Sequence, residues 1–363
     1  CYIDRGTPQP KPTSEVEMTT TVSPAESATK APSVTPERIY QLLWGYVPPL
    51  VLETAVRHRI FDVLDSGPKA LDAIAEATGA STRGLVAILN LLAGFGFLSK
   101  SGDHYALTPE SAAFLVTTKP SFQGGLLRHI SQQLMPQFLH LNEVVASGKP
   151  ASAVNRQQSG AEFFADFVTD LLPMNFPAAQ ELAKHLRLDA MNEPVSVLDL
   201  AAGSGVWGIA LAQSAPHVRV RAVDWPQVLP ITRRTAERFG VEERISFSEG
   251  DLHDADFGSG HHVATLGHIL HSEGEQRSRA LLKKTYQALA PGGTIAIAEF
   301  LVNADRTGPL SGLIFAVNML VNTDTGNTYS FEEIREWLTE AGFVDARLLP
   351  APGPSPLILA TKP

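Results

Sequence analysis

Two hydrophobic rhythms divide this chain near residue 190. From Ile39 to Leu64 the apolar positions Ile39, Leu42, Leu43, Val47, Leu50, Val51, Leu52, Ala55, Ile60 and Leu64 follow a helical period, with Pro48 and Pro49 marking a break. Much of this segment is apolar all round, which predicts helices packed between elements or between subunits rather than lying on a surface. The stretch from Ala70 to Thr108 then reads as helix, turn, second helix and a short hairpin around Ser101, Gly102 and Asp103, the outline of a winged helix. Helical patterns follow from Pro109 to Leu188, interrupted by the polar stretch Ser147 to Gly160. Beyond Val195 the period changes to short apolar runs. VSVLDL, VRVRAVD, ISFSEGD, VATLGHIL and TIAIAEF suit buried parallel strands, separated by helical patterns such as Gln276 to Leu289. This alternation predicts a doubly wound α/β sheet, and the final residues read as two strands joined by a Pro/Gly turn. The division expected is a disordered tail over 1–35, a mainly helical domain over 36–190 and an α/β domain over 191–363.

Composition narrows the function classes. The tail strings prolines among Ser and Thr with almost no bulky apolar residue, so it cannot bury enough surface to offset its ordering entropy. A formal charge of −9 without a dense Lys/Arg run argues against nucleic acid as a partner. The second helix of the winged-helix outline carries one Arg among apolar residues, a surface for protein rather than for phosphates. The single cysteine excludes an intramolecular disulfide and a cysteine metal cluster, which fits a reducing cytoplasm. The longest uncharged stretches, between Gly84 and Lys100 and from Thr307 to Thr323, fall short of a membrane span. No membrane partner is expected, and no metal.

Candidate chemistry begins where the strand Val195 to Leu200 runs into Ala201, Ala202, Gly203, Ser204 and Gly205, ahead of a helix starting near Val206. Small residues let backbone approach a ligand, and free N–H groups at a helix start favour a negative group. Gly203, Gly205 and Gly208 even fit the dinucleotide pattern, with Asp224 about 20 positions on. Asp199 separates the two readings. At the mouth of the loop its carboxylate would repel a pyrophosphate, whereas S-adenosylmethionine brings an ammonium and a sulfonium. Asp224 at the end of the second strand is placed to accept ribose hydroxyls. After the third strand, Asp251 is a candidate acceptor from an adenine amino group, and Leu252 a residue that packs on the ring. Each of these also has an ordinary reading as turn chemistry. Four in the right order argue for a site.

With these residues in view, the chain from Pro36 onward resembles the small-molecule O-methyltransferases typified by caffeic acid, acetylserotonin and hydroxyneurosporene enzymes. That family's loop reads D-x-G-G-G-x-G, and DLAAGSG here replaces two glycines by Ala201 and Ala202. Its D-L-P corresponds to Asp224-Trp225-Pro226, which would set Trp225 against the adenosine, and its G-D-M to Gly250-Asp251-Leu252. A cofactor-contacting lysine of plant members falls at Gly267. The catalytic histidine of I-L-H-D-W matches His271, followed here by Ser272 and Glu273. One supporting acid matches Glu299 and the other falls near Thr328. The resemblance implies a Rossmann-like methyltransferase domain with a mostly parallel seven-stranded sheet, preceded by a winged-helix-like dimerisation domain. It implies S-adenosyl-L-methionine as cofactor, S-adenosyl-L-homocysteine as product, and a homodimer.

His271 also stands out by position, because ligands of a doubly wound sheet lie beyond the carboxyl ends of its strands. His268 reads as structural, and His261 and His262 begin the same strand at its far end. Helices Ile39 to Leu64 and Phe122 to Val145 suit an intertwined homodimer, the other reading being that they complete a monomer's core. By the resemblance, Phe163, Phe164, Met174, Phe176, Phe300, Phe315, Asn318, Met319 and Asn322 wall a pocket for a hydrophobic small-molecule acceptor, aromatic or polyketide-like, although each also reads as plain core. The leading expectation is methyl transfer to a hydroxyl with His271 as general base and Glu299 supporting it. The alternatives are N- or C-methylation on the same scaffold, or a non-catalytic binding role.

Overall fold

The structure is a computed structural model that describes residues 34–156, 160, 163–164, 167–191 and 193–363. The expected tail, apart from Val34 and Thr35, lies outside the described residues. Residues 34–45 form a unit of their own, containing helix α1 (Glu37–Leu43), and Tyr46–Pro363 form the other.

The second unit opens with α2 (Val47–Arg57) and α3 (Ile60–Leu64). Pro48 and Pro49 do not interrupt a helix. They occupy the first turn of α2, where a missing N–H costs no hydrogen bond and the fixed φ suits the helix. The winged-helix outline follows as β1 (Lys69–Ala70), α4 (Leu71–Thr78), α5 (Thr82–Gly94), β2 (Leu98–Ser101) and β3 (His104–Leu107), with strand order β1-β3-β2. Ser81 caps α5 by accepting from the Gly84 N–H, and Tyr105 Oη donates to Asn90 Oδ1 at 2.9 Å, fastening the hairpin to that helix. Next come α6 (Pro109–Phe114), α7 (Gly125–His129), a π turn over Ile130–Leu134, α8 (Met135–Phe138), α9 (Leu141–Ser147) and α10 (Leu172–Leu186).

The α/β region contains β4 (Val195–Leu200), α11 (Val206–Ser214), β5 (Val218–Asp224), α12 (Leu229–Arg238), β6 (Ile245–Glu249), β7 (His261–Gly267), α13 (Leu270–Ala288), β8 (Leu289–Ala298), α14 (Leu310–Asn322), α15 (Phe331–Ala341), β9 (Val344–Leu349) and β10 (Leu357–Thr361). These strands make a seven-stranded sheet in the order β6-β5-β4-β7-β8-β10-β9, parallel from β6 to β8, with β10 antiparallel to both its neighbours. The central strands are apolar on both faces because helices cover both. Leu198, Leu200, Ala264, Leu266, Ile295 and Ile297 are completely buried. Helix α11 is apolar all round for the same reason, lying between the sheet and α10. The strand order reverses between β4 and β7, so their carboxyl ends and that of β8 define the crevice expected to take a ligand.

Candidate active site

The glycine loop follows β4 and is fixed from the neighbouring strand. Ala201, Gly203 and Gly205 have φ of 51°, 56° and 78°, a left-handed path that admits little beyond a methyl group. Gly203 N–H donates to Asp224 Oδ2 at 2.8 Å, Trp225 N–H donates to Oδ1 at 2.7 Å, and Thr232 Oγ1 donates to Gly203 O at 2.7 Å. A carboxylate offers about four acceptor positions, so Asp224 retains capacity for further donors. Asp199 departs from the expectation that it faces a ligand. It is 1% exposed, and its oxygens accept from Gly208 N–H at 2.9 Å and Thr265 Oγ1 at 2.7 Å, so it ties the start of α11 and strand β7 to β4 from beneath the loop. Burial pushes Asp199 up to about 7 and Asp224 up to about 6. Two carboxylates so placed would repel a diphosphate, whereas a cation would favour their ionised forms.

Asp251 lies beyond β6, in a network that sequence reasoning missed. Arg277 donates to Glu273 Oε2 at 2.7 Å and to Asp251 Oδ1 at 3.3 Å, and His253 Nε2 is 3.0 Å from Glu273 Oε2. Burial alone would raise Asp251, but the His253 N–H and the Arg277 guanidinium hold it below the usual carboxylate range. Glu273 stands where the resembling family has tryptophan, and here it is a buried carboxylate. Leu252 is buried in the core below, and Trp225 faces Phe164 across 6.3 Å between ring centroids. At Gly267 a Cβ would meet Trp207 Nε1 at 1.9 Å, so this indole fills the room in which a longer side chain would begin.

His271 sits in the first turn after β7. Gly274, three residues on with φ of 77°, breaks the helical path so that this turn stands apart from the body of α13. Glu299 follows β8 and is completely buried. Its Oε1 accepts from His271 Nδ1 at 2.6 Å and Phe300 N–H at 2.9 Å, and its Oε2 accepts from His271 N–H at 3.1 Å. Burial alone would raise Glu299. The imidazole beside it outweighs that and holds it below the usual range. Because Glu299 accepts at Nδ1, that nitrogen carries the proton and Nε2 keeps its lone pair. Thr328, where the family's other acid would fall, is buried and donates to Gly312 O.

Phe315 of α14 meets the His271 ring edge-on at 4.8 Å and Phe300 at 4.1 Å. Asn318, Met319 and Asn322 continue the same face of α14 at positions three, four and seven residues on. Asn322 Nδ2 donates to Asn318 O and Oδ1, while Asn322 Oδ1 is buried without a partner among the described residues. His268 adopts φ of 58°, is brought down to about 4 by burial, and lies 3.0 Å from Ser355 Oγ. Phe163 belongs to a second aromatic group with His129, Phe164 and Phe167. Met174 is half-buried, its carbonyl close to Gly353, and Phe176 packs on Phe239 in the sheet core, so the latter is no pocket residue. A cavity of about 490 Å³ lies beside Phe300, lined by residues such as Leu301, Asn303, Pro309, Phe331 and Pro354. It includes neither His271 nor the glycine loop, so it is not the site assembled above.

Comparison with known proteins places this geometry. An O-methyltransferase domain matches residues 143–344 and an O-methyltransferase dimerisation domain matches residues 40–117. The chain belongs to this family of S-adenosylmethionine-dependent O-methyltransferases. It is 28% identical to the tetracenomycin polyketide synthesis 8-O-methyl transferase TcmO of Streptomyces glaucescens, over 90% of this chain and 97% of that one. It is 26% identical to the 3-hydroxy-5-methyl-1-naphthoate 3-O-methyltransferase of Streptomyces sahachiroi, over 90% and 95%. The structure of PigF with SAH superimposes with a TM-score of 0.77 at 26% identity, covering 91% of this chain and all of that one.

Proposed function

We propose that this protein transfers a methyl group from S-adenosylmethionine to a hydroxyl of a hydrophobic aromatic or polyketide-like molecule, with His271 as general base. The observation that carries the reading is the buried contact of Glu299 with His271 Nδ1, which leaves Nε2 as a lone pair at the sheet's carboxyl edge. When bound, the cofactor supplies an electrophilic methyl carbon on a sulfonium. Asp224 would accept its ribose hydroxyls, Ala201, Gly203 and Gly205 would admit it to the loop, and Asp251, Leu252 and Trp225 would border its adenine. Gly267 would lie at that border with the Trp207 indole filling the space beside it, and Asp199 would favour its positive charge through the loop. His271 Nε2 would take the hydroxyl proton as the methyl carbon passes from sulfur to the acceptor oxygen, leaving S-adenosylhomocysteine as the neutral thioether, and Glu299 would hold the ring and balance the imidazolium. The unpartnered Asn322 Oδ1 supports α14, with Phe315, Asn318 and Met319, as a wall of the acceptor pocket, and Phe163 and Met174 belong to its helical side. The names of TcmO and the naphthoate enzyme support an aromatic acceptor.

His271→Ala should lower turnover by about 100-fold or more, the usual worth of a positioned base, while affinity for S-adenosylhomocysteine by calorimetry stays near that of the parent. Near-normal turnover would remove His271 from this role. The functional unit is a homodimer in this proposal, supported by the dimerisation match and by an exposed apolar face of Leu310, Ile314, Val317 and Leu320 on α14, with Leu139 and Val145 exposed near the helices that pack on it. A monomeric mass by light scattering at micromolar concentration would contradict it. No helix among the described residues is long and apolar enough to cross a membrane.

A further inference from the structure

His129 packs among Phe163 and Phe167, beside the segment whose Val168 touches the glycine loop. It ends α7, directly before the π turn Ile130–Leu134, a rare local geometry that recurs at functional positions. Its ring stacks on Phe167 at 3.8 Å with an interplanar angle of 16°, and meets the edge of Phe163 at 5.2 Å. Phe167 leads directly to Val168, whose Cγ2 lies 2.8 Å from where a Cβ on Gly203 would be. His129 thus stacks on the residue next to the one that meets the loop read above as the cofactor site, while the same run of helix continues into α8, which packs on α14.

The hydrogen bonds of His129 determine what it can offer. Gln133 Nε2 donates to Phe163 O at 3.2 Å, which turns Gln133 Oε1 toward the imidazole, 2.5 Å from Nδ1. An amide oxygen only accepts, so Nδ1 carries the proton and Nε2 is left as an acceptor. Burial favours the uncharged ring against the opposing pull of Gln133 and lowers its titration below the usual imidazole range. No hydrogen bond is found at Nε2 among the described residues and the ring is only half-buried, so this nitrogen is open to a donor that a ligand brings. The neighbouring aromatic faces suit a flat ring, and that ring must bring the donor.

We infer that His129 is a second recognition group of the acceptor pocket, whose Nε2 accepts a hydrogen bond from a hydroxyl or N–H of the acceptor other than the oxygen that is methylated. This rests on the acceptor reading above and deepens it, because the substrate must then be an aromatic molecule with at least two hydrogen-bond donors. His129 and His271 would grip it at different points, and the first would select which hydroxyl reaches the second.

The test uses the full-length protein with 1-naphthol, 2-naphthol and the 1,3-, 1,6- and 2,7-dihydroxynaphthalenes as probes, and initial rates from labelled S-adenosylmethionine. At least one diol should exceed both naphthols in kcat/KM by about 10-fold, the upper scale of one net hydrogen bond. His129→Phe, which keeps the stack on Phe167, should abolish that preference by raising KM for the diol with kcat little changed, while KM for the naphthols, which lack the second donor, changes less. His129→Asn, which can still donate to Gln133 but has no group at the Nε2 position, should do the same and guards against a folding defect in the first variant. Absence of any diol preference in the parent, or a preference surviving in both variants, overturns the inference. If the naphthols are methylated in that case, the methyl-transfer reading stands without it. If S-adenosylhomocysteine raises the melting temperature but no phenol is methylated, both readings fall.

Discussion

Replacing Glu299 by glutamine keeps the side chain's shape and removes its charge. In the parent, three N–H groups converge on the carboxylate: His271 Nδ1 and Phe300 N–H at Oε1, and His271 N–H at Oε2. A glutamine has one oxygen. Placed at the Oε1 position it still serves His271 Nδ1 and Phe300, so the tautomer with a free Nε2 survives, while its amide group faces the His271 backbone N–H, donor against donor. Two effects follow. The orphaned N–H should cost roughly 1 to 3 kcal/mol of stability, seen as a lower denaturation midpoint. The imidazolium formed on proton transfer also loses its buried counter-charge, and a charge-assisted bond contributes roughly 1.5 to 3 kcal/mol. Since a glutamine oxygen recovers part of this, turnover should fall by about 10- to 30-fold at ~1.4 kcal/mol per factor of ten, less than for His271→Ala. The assay is single-turnover methylation of a dihydroxynaphthalene at saturating cofactor, with the S-adenosylhomocysteine dissociation constant measured alongside to show an intact cofactor site. Turnover within twofold of the parent would refute the view that Glu299 balances charge in the transition state.

Asp199 and Asp224 make a prediction about pH. Both are raised in the folded state, to about 7 and about 6, so the stability they contribute is present below the ordinary carboxylate pKa and is lost as pH rises through that window. Glu299, being lowered, acts in the opposite sense and in a more acid range. A cationic cofactor favours the ionised carboxylates, so its binding should release protons and tighten between about pH 6 and 7.5, and Asp224→Asn should diminish both effects. Calorimetry in buffers of different ionisation enthalpy measures the release, and finding none would contradict a charged cofactor above these groups. Gly267→Ala places a methyl group 1.9 Å from Trp207 Nε1, inside a buried indole's volume. Overpacking of this kind costs about 1 to 3 kcal/mol, and an unchanged urea midpoint would show that Trp207 moves freely.

The sheet was readable in the sequence because its strands are apolar on both faces and its turns carry glycine. VSVLDL and VRVRAVD became β4 and β5 almost to the residue, and the final Pro/Gly turn does join β9 to β10. The pairing of His271 with Glu299 was readable only through the resemblance, since no spacing rule connects residues 28 apart on adjacent strand ends. That Asp199 turns beneath the loop was not readable, because a sequence shows that a carboxylate stands near a loop but not which N–H groups claim it. Phe176 failed as a pocket residue since its partner, Phe239, lies 63 positions away in sequence. The Arg277, Glu273 and His253 network had a signal, an Arg four residues after an acid on a helix, but nothing local pointed that pair at Asp251. His129 gave no sign at all, because the rings it packs against, Phe163 and Phe167, stand 34 and 38 positions away in sequence.

Strand β10 is the last strand in sequence and an interior strand in space, lying between β8 and β9 with Leu357, Ile358, Leu359 and Ala360 wholly buried. A ribosome therefore delivers β4, β5, β6, β7 and β8 in an order that lets each meet a neighbour, but β9 emerges with no strand to pair with. Its place in the sheet exists only once β10 has followed it out of the exit tunnel and threaded between them. Lys362 then closes the seam, its N–H donating to Gly293 O and its carbonyl accepting from Gly292. Nascent chains halted before residue 357 would carry every residue proposed for the cofactor and for catalysis and still present a bare edge of β8, an invitation to pair with another unfinished chain. For this enzyme, the interval between synthesis of Glu299 and synthesis of Thr361 is the time during which the edge of β8 stands unpaired.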